Sequence, residues 1–150
     1  MSAKDRFVRI VSTFFGVGYL PWAPGTFGSV PGLFFVWWIN DPLAACGLTA
    51  AFSILGFVVS KPAQTVLQAH DPRPFVFDEV CGMMLSLLWL PKDLKIYAAA
   101  FVLFRAFDTL KPWPISIFHK MKSAPGIMAD DLAAGIITNL LLQTLLRIFF

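Results

Sequence analysis

The stretch Asp130–Phe150 reads DDLAAGIITNLLLQTLLRIFF: two adjacent carboxylates, then nineteen residues from Leu132 to Phe150 whose one charge is Arg147. As a helix rising about 1.5 Å per residue, that run covers roughly 28 Å, close to the hydrocarbon thickness of a bilayer. A second run of nineteen, Pro42 to Ser60, has no charge at all. Three shorter apolar runs accompany them: Ser29 to Ile39, Val80 to Leu90 and Leu94 to Phe107. These fit half-spanning helices, or full spans completed by polar residues at their ends. With 57% hydrophobic and 14% charged residues and a mean hydropathy of +0.71, the 150-residue chain has more apolar surface than one soluble core of this length can use. The expectation is an all-α, multi-helix integral membrane bundle of about four to five apolar helices, forming a single domain over residues 1–150 with a polar site at one face.

The segments are separated by turn chemistry at Asn40-Asp41-Pro42 and Pro91-Lys92-Asp93. Between the second and third runs lies the more polar stretch Lys61 to Phe77. Its first part reads as a surface helix ended by Asp71-Pro72-Arg73-Pro74. At the N-terminus, Lys4, Arg6 and Arg9 precede an apolar stretch with no small-residue cleavage pattern after it, which predicts an interfacial amphipathic helix over Phe7 to Phe15. Cys46 and Cys81 fall inside apolar runs without metal-ligand spacing and read as free thiols.

Tracing the runs as two hairpins and a final helix puts Pro24–Ser29, Asp78-Glu79, Asp108 and Asp130-Asp131 on one face of the bilayer. Lys4, Arg6, Arg9, Lys61, Arg73, Lys111, Lys120 and Lys122 join them there, leaving chiefly Lys92, Lys95 and Arg147 opposite. The positive-inside rule makes the crowded face cytoplasmic. The net charge of +3 is modest, and its dispersed cations suit anionic lipid better than a nucleic acid.

Of the nine acidic residues, Asp78, Glu79, Asp108, Asp130 and Asp131 sit at the edges of apolar segments, where a charge is costly unless paired. Helix capping accounts for an isolated acidic residue at a helix start. It does not need a second adjacent carboxylate, and here the doubling occurs twice. Several carboxylate oxygens are how Mg²⁺ is held. Asp108 stands near the end of its segment, because Pro112 stops a helix soon after, and there the helix dipole disfavours a carboxylate. Either it pairs with Arg105 three residues earlier, or it faces a metal while Arg105 and Lys111 face a phosphate. The stretch Pro24-Gly25-Thr26-Phe27-Gly28-Ser29 reads as a loop before a helix, with Gly25, Thr26, Gly28 and Ser29 candidates to cradle phosphate through backbone N–H groups. His70 and His119 read as polar interface residues, with acid–base groups the lesser alternative, and Trp113 as an interfacial wedge. There is a faint internal echo: Asp78-Glu79 is followed by Gly82, and Asp130-Asp131 by Ala134-Gly135, small residues that let helices approach closely.

Four blocks then carry a resemblance. Ala23-Pro24-Gly25-Thr26-Phe27-Gly28-Ser29, Phe77-Asp78-Glu79-Val80-Cys81-Gly82, the run Phe104 to Ile115 containing Arg105, Asp108, Lys111, Pro112 and Pro114, and the run Gly126 to Gly135 containing Asp130-Asp131 occur in order. Together they resemble the signature blocks of the phosphatidylglycerophosphatase A family. The resemblance implies a multi-pass protein of the bacterial inner membrane, with its active site facing the cytoplasm. It implies a Mg²⁺-dependent hydrolase that removes the terminal phosphate of phosphatidylglycerophosphate, a phospholipid substrate in the bilayer, to give phosphatidylglycerol. The expected metal ligands are Asp78, Glu79, Asp108, Asp130 and Asp131. The expected catalytic groups are Asp108, Asp131, Arg105 and Lys111, and the substrate-binding set is Gly25, Thr26, Gly28, Ser29, Arg105 and Lys111. The alternative from another class is a small ion or proton transporter using membrane-edge carboxylates; it expects those charges at mid-membrane depth.

Overall fold

A computed structural model describes residues 1–121 and 123–149; the expected cytoplasmic charge at Lys122 and the end of the last apolar run at Phe150 lie outside the described residues. Among the described residues there are seven α-helices, one 3₁₀ turn at Val17–Tyr19 and no strand. Helix α1 (Ala3–Ser12) opens on a capping box: Asp5 N–H donates to Ser2 Oγ at 3.1 Å and Ser2 N–H donates to Asp5 Oδ2 at 3.0 Å. It starts earlier and ends earlier than the expected Phe7–Phe15. Phe14 and Phe15 take φ of 45° and 56°, which closes the helix and turns Phe14 inward against Phe35 and Phe77.

Helices α2 (Pro24–Trp38), α3 (Pro42–Val66), α4 (Phe77–Leu87), α5 (Leu94–Leu110), α6 (Ile115–His119) and α7 (Ala124–Phe149) follow. Three boundaries differ from the sequence reading, each at a proline. Pro24 is the first residue of α2, so the expected loop Pro24–Ser29 is helical. Pro62 lies inside α3, so the expected separate surface helix from Lys61 is instead the last turns of α3. Its buried Val59 and Ala63 lie on one face against the core, and that packing outweighs the hydrogen bond Pro62 cannot make. Pro125 sits in the first turn of α7, which begins at Ala124, so Asp130-Asp131 do not open that helix but lie well inside it. End capping therefore explains neither of these two carboxylates.

α4 is the axis of the fold. Val80, Cys81, Met83, Met84 and Leu87 are completely buried, with α2 on one side and α7 on the other. Gly82 and Gly135 make the α4–α7 approach close: a Cβ on Gly135 would stand 2.5 Å from the Gly82 carbonyl oxygen, and one on Gly82 would stand 2.7 Å from that of Asp131. This contact puts the start of α4 beside Asp131. At the opposite end, Lys92 Nζ donates to the Trp37 and Ile39 carbonyls at 2.6 and 2.8 Å, closing the C-terminus of α2. Asn139 on α7 donates to the Ser86 and Leu88 carbonyls where α4 ends.

Among the described residues, α3 and α7 are the two helices long and apolar enough to cross a bilayer, with mean hydropathies of 2.0 and 1.6. α2, α4 and α5 are shorter, at 15, 11 and 17 residues. Large apolar side chains such as Phe34, Trp38, Leu43, Ile54, Val102 and Leu140 stay exposed around the bundle. Water would not tolerate so much apolar surface on a monomer, whereas lipid matches it. The protein is membrane-associated.

Candidate active site

The start of α2, the segment after α3, the start of α4, the end of α5, α6 and the start of α7 converge on one cavity of about 610 Å³. It is lined by Gly25, His70, Arg73, Asp78, Glu79, Arg105, Asp108, Lys111, His119, Lys120, Asp130 and Asp131, among others. All five expected carboxylates therefore meet, although they are spread over fifty-four positions of sequence from Asp78 to Asp131.

Within the cavity they divide into two groups. Asp78 and Glu79 from the first turn of α4 and Asp131 from α7 each place a carboxylate oxygen within 4.8 Å of the others. Asp78 and Asp131 are buried, and Glu79 Oε2 is shielded with no hydrogen-bond partner among the described residues. Three carboxylates so close, two of them buried and one half-buried, repel one another strongly, and a hard cation is the partner their oxygens fit. Among the described residues no histidine or cysteine belongs to this group, so the donor set is wholly oxygen and suits Mg²⁺ better than Zn²⁺.

The second group is made of ion pairs. Asp108 Oδ2 lies 2.7 Å from Arg105 Nη1, although Nη1 is not aligned for a hydrogen bond, and Asp108 Oδ1 lies 3.5 Å from Lys111 Nζ. Lys111 also donates to Asp130, whose Oδ2 is 3.2 Å from His119 Nδ1. Lys111 follows the last residue of α5 with φ 45°, and this left-handed turn swings its ammonium back between Asp108 and Asp130. Burial works against that ammonium. The hydrogen bond it donates to Asp130 and the charges of Asp131, Asp130 and Asp108 outweigh it, and the Lys111 pKa is raised above the usual lysine range. Lys111 is therefore a fixed cation at neutral pH. Of the two readings of Asp108, the structure shows the pairing with Arg105, and Asp108 lines the same cavity as the three-carboxylate group.

The α2 residues separate. Gly25 lines the cavity, and a Cβ there would collide with Glu79 Oε1 and stand 3.0 and 3.2 Å from the two Arg105 guanidinium nitrogens. Thr26, Gly28 and Ser29 are not in the lining. Gly28 packs against Val76, and the buried Ser29 hydroxyl donates to the Gly25 carbonyl at 2.9 Å. Sequence reasoning set His119 aside as a polar interface residue and gave Arg73 and Lys120 only a place on the charged face, yet all three border the cavity. For His119 the available signal was its place between Lys111 and Asp130, on a segment bounded by prolines at 114 and 125 that must fold back onto the site. The expected interfacial wedge, Trp113, is exposed beside this segment.

The chain matches the family model for phosphatidylglycerophosphatase A over residues 10–146. It is 35% identical to Phosphatidylglycerophosphatase A of Escherichia coli (strain K12) over 135 residues, covering 87% of this chain and 78% of the relative. Identity to Phosphatidylglycerophosphatase A of Haemophilus influenzae is 34% over 134 residues, 86% of this chain and 82% of the relative. A protein of Bacteroides thetaiotaomicron named Putative phosphatidylinositol-3-phosphatase is 33% identical over 144 residues, 89% of each chain. No solved structure matches. A cavity in which three carboxylates face an arginine and a lysine, on a chain matched over nearly its whole length, places this protein in the phosphatidylglycerophosphatase A family of phosphoric monoester hydrolases.

Proposed function

We propose that this protein is a Mg²⁺-dependent phosphatase that hydrolyses the terminal phosphomonoester of phosphatidylglycerophosphate to give phosphatidylglycerol, working from the cytoplasmic face of a bacterial inner membrane that the chain crosses more than once. The observation that carries the reading is the meeting of two charge groups in one cavity: the carboxylates of Asp78, Glu79 and Asp131, with the cations Arg105 and Lys111 beside them. A phosphomonoester needs both, a cation site to draw its oxygens and fixed positive side chains to offset its charge.

Asp78, Glu79 and Asp131 would hold the Mg²⁺, which when bound supplies positive charge at the phosphoryl oxygens and makes a bound water more acidic. Arg105 offers a planar fork to phosphate oxygens and Lys111 a point charge. Asp108 holds both cations in place, so it is a positioning residue more than a proton acceptor. Asp131, which has no ion-pair partner among the described residues, would give one carboxylate oxygen to the cation and keep the other to act as base. It takes a proton from the attacking water as the water oxygen bonds to phosphorus. The bond from phosphorus to the glycerol oxygen breaks, and the proton passes to that oxygen. The transporter alternative is not favoured, because the carboxylates gather at one end of the bundle beside two phosphate-binding cations.

Head-group choice is tested by phosphate release from purified protein in detergent, comparing phosphatidylglycerophosphate, phosphatidylinositol 3-phosphate and a soluble phosphomonoester. The proposal expects phosphatidylglycerophosphate to have the highest kcat/KM. A clear preference for the inositol lipid would contradict it.

A further inference from the structure

On the outside of the bundle, α2 and α5 both rest on α4 and touch each other little, leaving a groove of about 560 Å³ between them. Its walls are Val30, Leu33, Phe34 and Trp37 from α2, and Leu94, Tyr97, Ala98, Phe101 and Val102 from α5. Every lining surface is apolar, and within the wall the Tyr97 ring packs edge-on against Trp37 with ring centroids 5.1 Å apart. The two walls run antiparallel and belong to the same helices whose other ends supply Gly25 and Arg105 to the polar cavity. Val102 precedes Arg105 by three residues, about 4.5 Å along the helix, and Val30 follows Gly25 by five, about 7.5 Å. The groove then runs away from the cavity for the eight residues from Val102 to Leu94, about 12 Å.

We infer that this groove seats an acyl chain of the lipid whose phosphate occupies the cavity. The inference rests on the proposed reaction in taking a lipid phosphomonoester as the ligand. Such a molecule has a charged end and an apolar end, and this chain offers in line a charged cavity and a wholly apolar channel on shared helices. A second copy of the protein is the other occupant an apolar groove could take. The alignment of the groove with the cavity favours the lipid, since a docked helix would gain nothing from that continuity. Because bulk lipid is as apolar as the groove, seating depends on shape rather than on a hydrophobic gain, and a steric plug is the informative perturbation.

Ala98 lines the groove, and Ala98→Phe would fill it; the neighbouring exposed Ala99 does not line it, and Ala99→Phe serves as control. Full-length protein in detergent would be assayed with long-chain and short-chain forms of the same phospholipid phosphomonoester. Ala98→Phe is expected to raise the ratio of long-chain to short-chain KM several-fold, and Ala99→Phe to leave it as in wild type. An unchanged ratio in Ala98→Phe would overturn the inference. A second measurement does not depend on turnover: phosphatidic acid carrying a diazirine in one acyl chain is photolysed on the protein, and labelled residues are mapped. Labels within 30–37 and 94–102, competed by unlabelled phosphatidic acid but not by phosphatidylcholine, support the groove. Labels that phosphatidylcholine competes equally, or a detergent dimer that Ala98→Phe converts to monomer, would overturn it. Labelling in the groove without phosphate release would fault the proposed reaction and leave the groove standing.

Discussion

Gly25→Ala separates stability from catalysis at one atom. The added Cβ would collide with Glu79 Oε1 and crowd both terminal nitrogens of Arg105, at 3.0 and 3.2 Å. Neither neighbour is a free surface side chain. Glu79 belongs to the three-carboxylate group, and Arg105 is tied to Asp108. One of them must move by a good fraction of an ångström, and misplacing a positioned group by about 1 Å can cost about 10²-fold in rate. The backbone has no objection, because Gly25 is helical at negative φ and alanine is the better helix former by up to about 1 kcal/mol. The expected outcome is kcat/KM lower by about 10- to 100-fold with a thermal midpoint equal to or above that of wild type. If Glu79 moves, the Mg²⁺ concentration for half-maximal rate rises and excess Mg²⁺ restores part of the activity; if Arg105 moves, the loss is indifferent to Mg²⁺. A variant with kcat/KM within about twofold of wild type would refute the reasoning that these two groups are held where they act.

Asp108→Asn should lower kcat/KM by about 10²- to 10³-fold while the protein stays folded, because Arg105 and Lys111 lose the charge that holds them; near-normal release would leave Asp108 with a merely structural pairing. Arg105→Lys should lower kcat/KM by about 10²-fold, since a point charge cannot reproduce the guanidinium fork, and unchanged kinetics would show that Arg105 only balances local charge. Single cysteines at Gln68, Ser123 and Lys92, in a background lacking Cys46 and Cys81, should react with an impermeant thiol reagent in intact cells at neither Gln68 nor Ser123. Labelling at Ser123 alone would put the two borders of the cavity on opposite faces.

The site was more legible than the boundaries. Carboxylates at the edges of apolar runs are so costly that their positions alone predicted a meeting point, and all five line one cavity. The small residues Gly82 and Gly135 were legible as sites of close helix approach, but that they meet each other between α4 and α7 was not. The boundaries that moved each lie at a proline. Pro24 was read as part of a turn, while Pro62 and Pro125 were not weighed at all; Pro24 and Pro125 lie in a first turn, where the missing N–H is no loss, and Pro62 lies in a helix held by packing on both sides of it. The reading of Pro24 turned the start of α2 into a loop and made Thr26, Gly28 and Ser29 look like a phosphate cradle. The division of the carboxylates into a cation group and an ion-paired group was not readable, because it depends on Lys111 turning back through a left-handed residue toward Asp130. The contact of His119 with Asp130 was hidden for the same reason: it depends on how α6 folds against α7.

The central claim is that a hard cation held by Asp78, Glu79 and Asp131 is required for phosphate release from a lipid. Phosphate release from phosphatidylglycerophosphate would be followed with purified protein in detergent, first with Mg²⁺, then in EDTA, then after Mg²⁺ is restored. The expected result is release with Mg²⁺, none in EDTA, and full recovery on restoration. Undiminished release in EDTA would contradict it.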